Sequence, residues 1–406
     1  MKHTTKRISA LLLALALLLT MAGCGGSTAP AGTEVTEAPA QTAAETPAAE
    51  DTTAAPADAP VIEGLTFTEE TALKYATVFR LFRYEGGYTL IHIDGDADYL
   101  VVPEGAAVPA NVESTITVLQ QPIDTIYLAA TSAMSLFSAV DALDHIRLTG
   151  TRESGWYIDS AVEAMQRGDI EFAGKYSEPD YERLINEDCD LAIESTMIYH
   201  TPKVKEMIED LGIPVLVDRS SYEAHPLGRT EWIKLYAALV GKDAEAEAFF
   251  DKQADIITQL EGFENTGKTV AFFFVNSDGS VVIRKPTDYI PKMIELAGGH
   301  YAFADFVTDQ TNTSISVTME TFYGNAVDAD VLIYNASIDA PISSIDELLA
   351  KDALFADFKA VKEGNVWCTG KSFYQATDIV GEMIQDIHLV LTGGAESDMT
   401  FLTRVS

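Results

Sequence analysis

Cysteine is scarce: three in 406 residues cannot build a disulfide framework. Basic side chains are scarce too, 27 Lys and Arg against 62 Asp and Glu, and the formal charge of -35 repels phosphate backbones. No local basic cluster offsets it, which argues against a nucleic-acid groove. The 7 histidines are scattered at positions 3, 92, 145, 200, 225, 300 and 388 without an i, i+4 pair, so a dedicated zinc site is disfavoured. No G-x-S-x-G occurs, and Cys189 has no histidine placed nearby in sequence to activate it. An enzyme reading therefore has no motif beneath it, although catalytic groups assembled in space stay open. An apolar fraction of 47% supports a globular body, and the length allows two or three domains.

Two apparent motifs fail on context. Gly262 to Thr269 matches the phosphate-loop pattern G-x-x-x-x-G-K-[ST], but a helix precedes it and a strand follows, the reverse of what a phosphate site at a helix N-terminus needs. Asp94, Asp96 and Asp98 resemble the start of a calcium loop, yet Tyr99 stands where glycine is required and Gly105 where a bidentate glutamate is required. A helix exit and a hairpin turn are the expected readings.

At the N-terminus, Lys2, Lys6 and Arg7 precede an apolar run from Ile8 to Leu19, and Met21-Ala22-Gly23 leads into Cys24. This pattern reads as a secretory signal over residues 1–23. The small residues before Cys24 resemble the lipobox of bacterial lipoproteins, with Met21 where leucine is usual, which implies lipidation at Cys24. An ordinary cleaved signal with Cys24 incidental is the alternative. Residues 24–60 are dominated by Ala, Thr, Pro, Glu, Gly and Asp, without an aromatic, Lys or Arg, and cannot bury a core. A flexible tether of that length reaches roughly 30 Å, at about 5 Å times the square root of its length. The expected location is the outer face of the cytoplasmic membrane.

The body reads as α/β: two Rossmann-like lobes joined by a single long helix, preceded by a small antiparallel β meander. Turn residues Glu85-Gly86-Gly87 and Asp94-Gly95-Asp96 place the meander in residues 61–112. Strands at Thr125 to Ala129, His145 to Gly150, Leu191 to Glu194 and Pro214 to Val217 alternate with helical patterns, giving a first lobe over 113–225. Trp232, Leu235, Tyr236, Leu239, Phe249, Phe250, Ile257 and Leu260 recur at helical spacing, predicting a connecting helix over 226–262, roughly 50 Å long at 1.5 Å per residue. The second lobe, 263–406, has strands at Thr269 to Val275, Val281 to Ile283, Asp330 to Tyr334 and Val366 to Thr369. Cys189 and Cys368 are expected to be unpaired thiols in separate halves.

Loops at the carboxyl ends of parallel strands gather ligands. The aromatic, Met and basic side chains there are candidates for ligand contact: Met134, Trp156, Tyr157, Lys175, Tyr176, Met197, Tyr199, Tyr222 and Arg229, then Arg284 and Tyr374. Packing or solvation is the alternative for each. Lys371, Tyr289 and the Arg219 to His225 stretch belong to the same loop set.

Several stretches in this order resemble the substrate-binding lipoproteins of ABC importers for iron siderophores, haem and cobalamin. They are Pro122 to Tyr127 into Ser132 to Leu136, Glu178 to Glu182 before Asp190 to Ile193, Gly212 to Val215, the Trp232 helix, and Ala297-Gly298-Gly299. The resemblance covers about Ile123 to Gly393, so the meander lies outside it. It implies a monomeric receptor with no catalysis and no resident cofactor. Its cargo would be a ferric chelate or haem, with cobalamin or another tetrapyrrole as alternative, and its partner an ABC permease with a cytoplasmic ATPase. By motif position, Glu182 and Glu320 would dock on the permease. Helix capping is the alternative for both, with Ser177 opening a Ser-x-x-Asp box before Glu182. A surface-anchored enzyme or a permease-free sensor on the same scaffold also remains open.

Overall fold

The computed structural model describes residues 59–260, 262–310 and 313–406; the signal peptide, Cys24 and nearly all of the linker lie outside the described residues. Strands β1 (Phe67–Glu70), β2 (Phe79–Tyr84), β3 (Thr89–Ile93), β4 (Asp98–Val102) and β5 (Ile116–Gln120) form one sheet in chain order. The first four pair antiparallel, as their turn residues require. β5 then returns parallel to β4, Asp98 opposite Ile116 and Val102 opposite Gln120. The expected boundary at 112 is thereby corrected to Gln120, because the meander gains a parallel edge strand that turn chemistry does not announce. Side chains alternate across this sheet: Phe79, Leu81, Ile91 and Ile93 join the main core, while Phe82, Tyr84, Leu90 and Leu100 close a small outer core with Ile62.

The first lobe contains β6 (Ile126–Leu128), α1 (Met134–Ala139), β7 (Ile146–Thr149), α2 (Asp159–Arg167), β8 (Glu171–Phe172), a hairpin of β9 (Gly174–Lys175) and β10 (Glu178–Pro179), α3 (Tyr181–Asn186), β11 (Leu191–Ser195), α4 (Pro202–Asp210) and β12 (Val215–Asp218). Its sheet is wholly parallel, in the order β12-β11-β6-β7-β8. Leu128, Ile193 and Leu216 face the main core, and Tyr127, Ala192, Val215 and Val217 face a second core with Leu184 and Ile208. Burial on both faces explains the near-continuous apolar strands.

The connector corrects the sequence expectation. In place of one rod over 226–262 there are α5 (Pro226–Glu231), α6 (Ile233–Val240) and α7 (Asp243–Leu260). The break is Gly241, which adopts φ +71° and ends α6 in the left-handed conformation that glycine tolerates best. α7 then packs back on α6, so the connector is a compact helical block rather than a 50 Å strut. Apolar spacing on either side of Gly241 mimics one continuous helix, and the glycine is the signal that periodicity hides.

The second lobe holds β13 (Thr269–Val275), β14 (Val281–Arg284), α8 (Tyr289–Leu296), β15 (His300–Tyr301), β16 (Ser314–Val317), α9 (Met319–Ala326), β17 (Val331–Tyr334), α10 (Ile345–Lys351), α11 (Lys359–Lys362), β18 (Val366–Thr369), α12 (Val380–Thr392) and β19 (Leu402–Arg404). The sheet is mixed. β15, β17 and β18 run with β13, while β14, β16 and β19 are antiparallel to their neighbours. The phosphate-loop look-alike is the passage from α7 to β13, with Gly262 at φ +96° and Gly267 at φ +71°. Cys189 and Cys368 are buried free thiols, one in each lobe. Among the described residues, no helix is long and apolar enough to cross a membrane.

Candidate functional site

The lobes meet through loops that leave the carboxyl ends of β6 and β7 on one side and β18 on the other. Gln375 accepts from the Tyr157 N–H at 2.8 Å and donates to the Gly155 carbonyl at 2.8 Å. Ser135 Oγ accepts from the Thr377 N–H at 3.1 Å, and Thr230 in α5 donates to the Thr377 carbonyl at 2.8 Å. Lys371 sits over the Tyr157 ring at 5.3 Å. Each lobe thus supplies polar groups to one seam, with α5 crossing it.

At the α5 side of the seam, basic and phenolic side chains collect around Tyr289, the first residue of α8. Arg284 is almost fully buried and forms a two-pronged pair with Asp288, Nε to Oδ1 at 3.1 Å and Nη2 to Oδ2 at 2.6 Å. Asp288 also caps α8 by accepting from the Ile290 N–H at 3.0 Å. Arg284 Nη1 donates to Ser314 Oγ at 2.6 Å, and the Tyr374 hydroxyl accepts from Asn335 at 2.9 Å. Arg229, from α5, lies over the Tyr289 ring at 4.2 Å. Burial raises the Tyr289 phenol, and the charges of Arg229 and Arg284 oppose that rise. A cavity of about 480 Å³ borders this cluster, lined by Ala224, Thr287, Asp288 and Tyr301 among others.

A second cluster lies beyond β11 and β12. Arg219 Nη1 donates to the Tyr199 hydroxyl at 3.3 Å and to the Gly95 carbonyl at 3.1 Å, and its guanidinium lies over the Tyr222 ring at 4.8 Å. The Tyr199 hydroxyl donates to Asp96 Oδ1 at 3.0 Å. Gly95 and Asp96 form the β3–β4 turn, so the N-terminal sheet supplies part of this rim. A Cβ on Gly95 would meet Arg219 Nη2 at 3.3 Å, and with φ +68° this position favours glycine twice over.

The same sheet is fastened by two buried carboxylates, Glu231 in α5 of the connector and Glu223 just before it. Glu231 accepts from the backbone N–H groups of Lys74, Tyr75 and Ala76, each at 2.8 Å. Glu223 accepts from the N–H groups of Thr77 at 2.8 Å and Val78 at 3.0 Å, and from the Trp232 indole at 3.0 Å. Five consecutive backbone donors are satisfied from across the chain. On the outer surface, Glu182 and Glu320 are exposed at the second position of α3 and α9, one helix in each lobe. The α3 cap is Asp180, which accepts from the Arg183 N–H at 3.1 Å, and this replaces the Ser177 box expected from sequence. Thr318 caps α9 in the same way, accepting from Thr321.

Residues 138–372 match the family described as "Periplasmic binding protein". The chain belongs to that family. The family match begins within α1, so the N-terminal sheet lies before it. An uncharacterized lipoprotein of Methanocaldococcus jannaschii is 28% identical over 244 residues, covering 58% of this chain and 56% of the relative, just over half its length. A second uncharacterized lipoprotein of that organism is 25% identical over 349 residues, covering 82% of this chain and 86% of the relative. Among solved structures, a periplasmic haem-binding protein of Vibrio cholerae aligns with TM-score 0.54 at 16% identity, covering 66% of this chain and 98% of that one. Another, from Pseudomonas aeruginosa, gives 0.54 at 14% identity, covering 70% and 98%. At these identities the structures establish the fold: two α/β lobes, as in this periplasmic binding protein.

Of the residues singled out from sequence, the fold brings Arg229, Arg284 and Tyr374 together with Tyr289, and Tyr199 and Tyr222 together with Arg219. Tyr157 is at the seam. Lys175 lines a separate groove of about 740 Å³ with Arg152 and Phe172, and faces Glu178 at 3.8 Å. Tyr176 sits in the β9–β10 turn beside it, and Met197 is exposed in the turn after β11. Met134 and Trp156 are corrections: both are packed in the main hydrophobic core, Trp156 donating to the Thr151 carbonyl at 3.2 Å, so they serve packing. Asn335, Gln375 and Asp96 are additions. A lone Asn or Gln after a strand carries no signal of its own, and Asp96 reads simply as a turn residue.

Proposed function

We propose that this periplasmic binding protein is the solute-binding component of an ABC importer, anchored outside the cytoplasmic membrane through Cys24. Its cargo would be an iron chelate or haem, captured between the lobes and handed to the permease. The observation that carries the reading is the matched pair Glu182 and Glu320, exposed at the same position of a short capped helix in each lobe. Two such carboxylates, one per lobe, can register a basic permease surface and steer its approach. The aromatic and basic side chains at the seam and rim support a flat, anionic cargo, and the haem-binding proteins of similar fold are consistent with it.

The test is a thermal-shift and tryptophan-fluorescence titration of the protein against ferric siderophores, haemin, cobalamin and free metal ions. A ligand at 100 times its Kd should stabilise it by about 2.7 kcal/mol. One saturable hit from the iron or tetrapyrrole group is expected; silence across the panel would remove this cargo. Reversing both docking charges, Glu182→Arg with Glu320→Arg, is expected to leave ligand affinity within about twofold and abolish uptake by cells carrying the permease. Unimpaired uptake would exclude the docking role.

A further inference from the structure

The start of α12 is wedged between the first lobe and the connector. Ser135 Oγ in α1 accepts from the N–H groups of Thr377 at 3.1 Å and Asp378 at 3.3 Å, and Thr230 in α5 donates to the Thr377 carbonyl at 2.8 Å. Gln253 in α7 accepts from the Gly381 N–H at 3.0 Å and donates to Glu382 Oε1 at 2.9 Å. A Cβ on Gly381 would lie 2.7 Å from Gln253 Oε1 and 2.8 Å from the Gln253 carbonyl oxygen, so α12 approaches α7 as closely as glycine allows. Amid this bonding, three side-chain oxygens are buried with no hydrogen-bond partner among the described residues: Thr377 Oγ1, Asp378 Oδ1 and Glu382 Oε2. Two ionised carboxylates four positions apart, each with a buried oxygen that no donor reaches, are unfavourable by desolvation and by repulsion. One proton on Asp378 removes a charge and brings a donor to these oxygens. The charged groups of the surrounding elements are directed elsewhere. In α5, Arg229 lies over Tyr289 and Glu231 accepts from residues 74–76. In α8, Lys292 pairs with Glu295 at 2.9 Å, and on β19 Arg404 pairs with Glu396 at 2.9 Å. α1 has no charged residue, and α7 meets the turn through the neutral Gln253.

We propose that Asp378, with Glu382 beside it, is a proton-controlled latch between the lobes. With a proton on Asp378, the start of α12 stays seated on Ser135 of α1 and Gln253 of α7. When that proton leaves to water, two like charges lie at one buried helix end, and the turn lifts from Ser135 to hydrate them. Burial pushes the Asp378 acid up from 3.8 to about 6; the Glu382 charge adds to the rise, and the Ser135 hydrogen bond opposes it. The seated form therefore keeps a proton that the lifted form releases, so the latch is tightest below about pH 4 and weakens as pH rises to about 6. The device acts on the empty protein and needs no particular cargo.

The experiment follows amide exchange of the ligand-free protein at pH 5 and pH 7.5 in wild type, D378N and E382Q, expressed as protection so that the intrinsic pH dependence cancels. The amides that report are those of Thr377, Asp378 and Gly381, whose N–H groups bond across the seam. Wild type is expected to lose roughly tenfold in protection there between the two pH values, one pKa unit of proton linkage being a factor of ten in opening. D378N, which carries a neutral side chain at both values, should show no such loss, and E382Q should show a smaller one. Infrared difference spectra at pH 5 should contain a protonated-carboxyl band in wild type that D378N lacks. Equal protection of wild type at both pH values would overturn the latch, as would D378N losing protection in step with wild type or sharing its carboxyl band. If D378N is unprotected at both values because the seam does not form, E382Q decides: a loss smaller than in wild type upholds the like-charge mechanism, and an equal loss overturns it.

Discussion

Glu231→Ala is expected to destabilise the protein by roughly 3–5 kcal/mol, the range for removing one partner from a buried, hydrogen-bonded charge pair. Glu231 is fully buried, accepts from three consecutive backbone N–H groups at 2.8 Å and pairs with the equally buried Lys234 at 3.2 Å. Its loss strands those donors, while Lys234 keeps Glu247, at 2.8 Å, and the Ala72 carbonyl, at 3.4 Å. Urea unfolding measures the total cost, and amide exchange at residues 74–76 locates it. A loss below about 1 kcal/mol with those amides still protected would show that other contacts hold the sheet. The comparison is Asp251→Ala, which breaks the Lys74–Asp251 pair at 2.6 Å. Both of those side chains are about half exposed, so solvent screens the pair and the change should stay within about 1 kcal/mol. The N-terminal sheet is thus held by its buried carboxylates more than by its surface charges, and it forms one continuous core with the lobes through Phe79, Ile91 and Trp232.

Which of these features could be read from the sequence follows from the range over which each is determined. Strands such as Thr269–Val275 and Val331–Tyr334 were legible because burial on both faces demands a near-continuous apolar run. The alternation of strand and helix then gave the two lobes, and rejecting the phosphate loop needed only the order of helix and strand around Gly262. The break in the connector was harder, since the apolar stripes of α6 and α7 both face the core and Gly241 alone marks the reversal. Met134 and Trp156 sit after strands, as ligand residues do, but only the packed fold shows their side chains turned into the core. The pairing of Glu231 with residues 74–76 spans about 155 positions and has no local signature. Arg229 was legible as a cation near the seam. What the sequence could not show is that Asp288 is already taken by Arg284.

Glu194 should make the stability of the protein depend on pH in a way that one substitution removes. It lies in β11 on the face shared with Ala192 and Tyr127, is fully buried, and neither carboxyl oxygen has a hydrogen-bond partner. Burial alone pushes its acid up from 4.5 to about 8, and the ionisable groups that sense its charge are Tyr127 and Tyr181, on β6 and α3. The folded state therefore keeps a proton that the unfolded chain releases, so stability falls as pH rises from about 4.5 to about 8. Glu194→Gln has no proton to lose. Its stability relative to wild type should increase by roughly 3 kcal/mol between pH 5 and pH 8, taking 1.36 kcal/mol per pKa unit. Urea unfolding of both proteins at pH 5, 6.5 and 8 measures this directly. The sign is the decisive part: a carboxylate stabilised by a hidden partner would give the opposite trend, with the variant losing ground as pH rises, while parallel curves would mean that Glu194 reaches water in the folded state. Glu194 lies two residues before the turn after β11 that carries Met197 and Tyr199. Ionising it would therefore load the strand that supports the rim, and the same pH series read by Tyr199 and Tyr222 fluorescence quenching should change over the window in wild type and stay flat in Glu194→Gln.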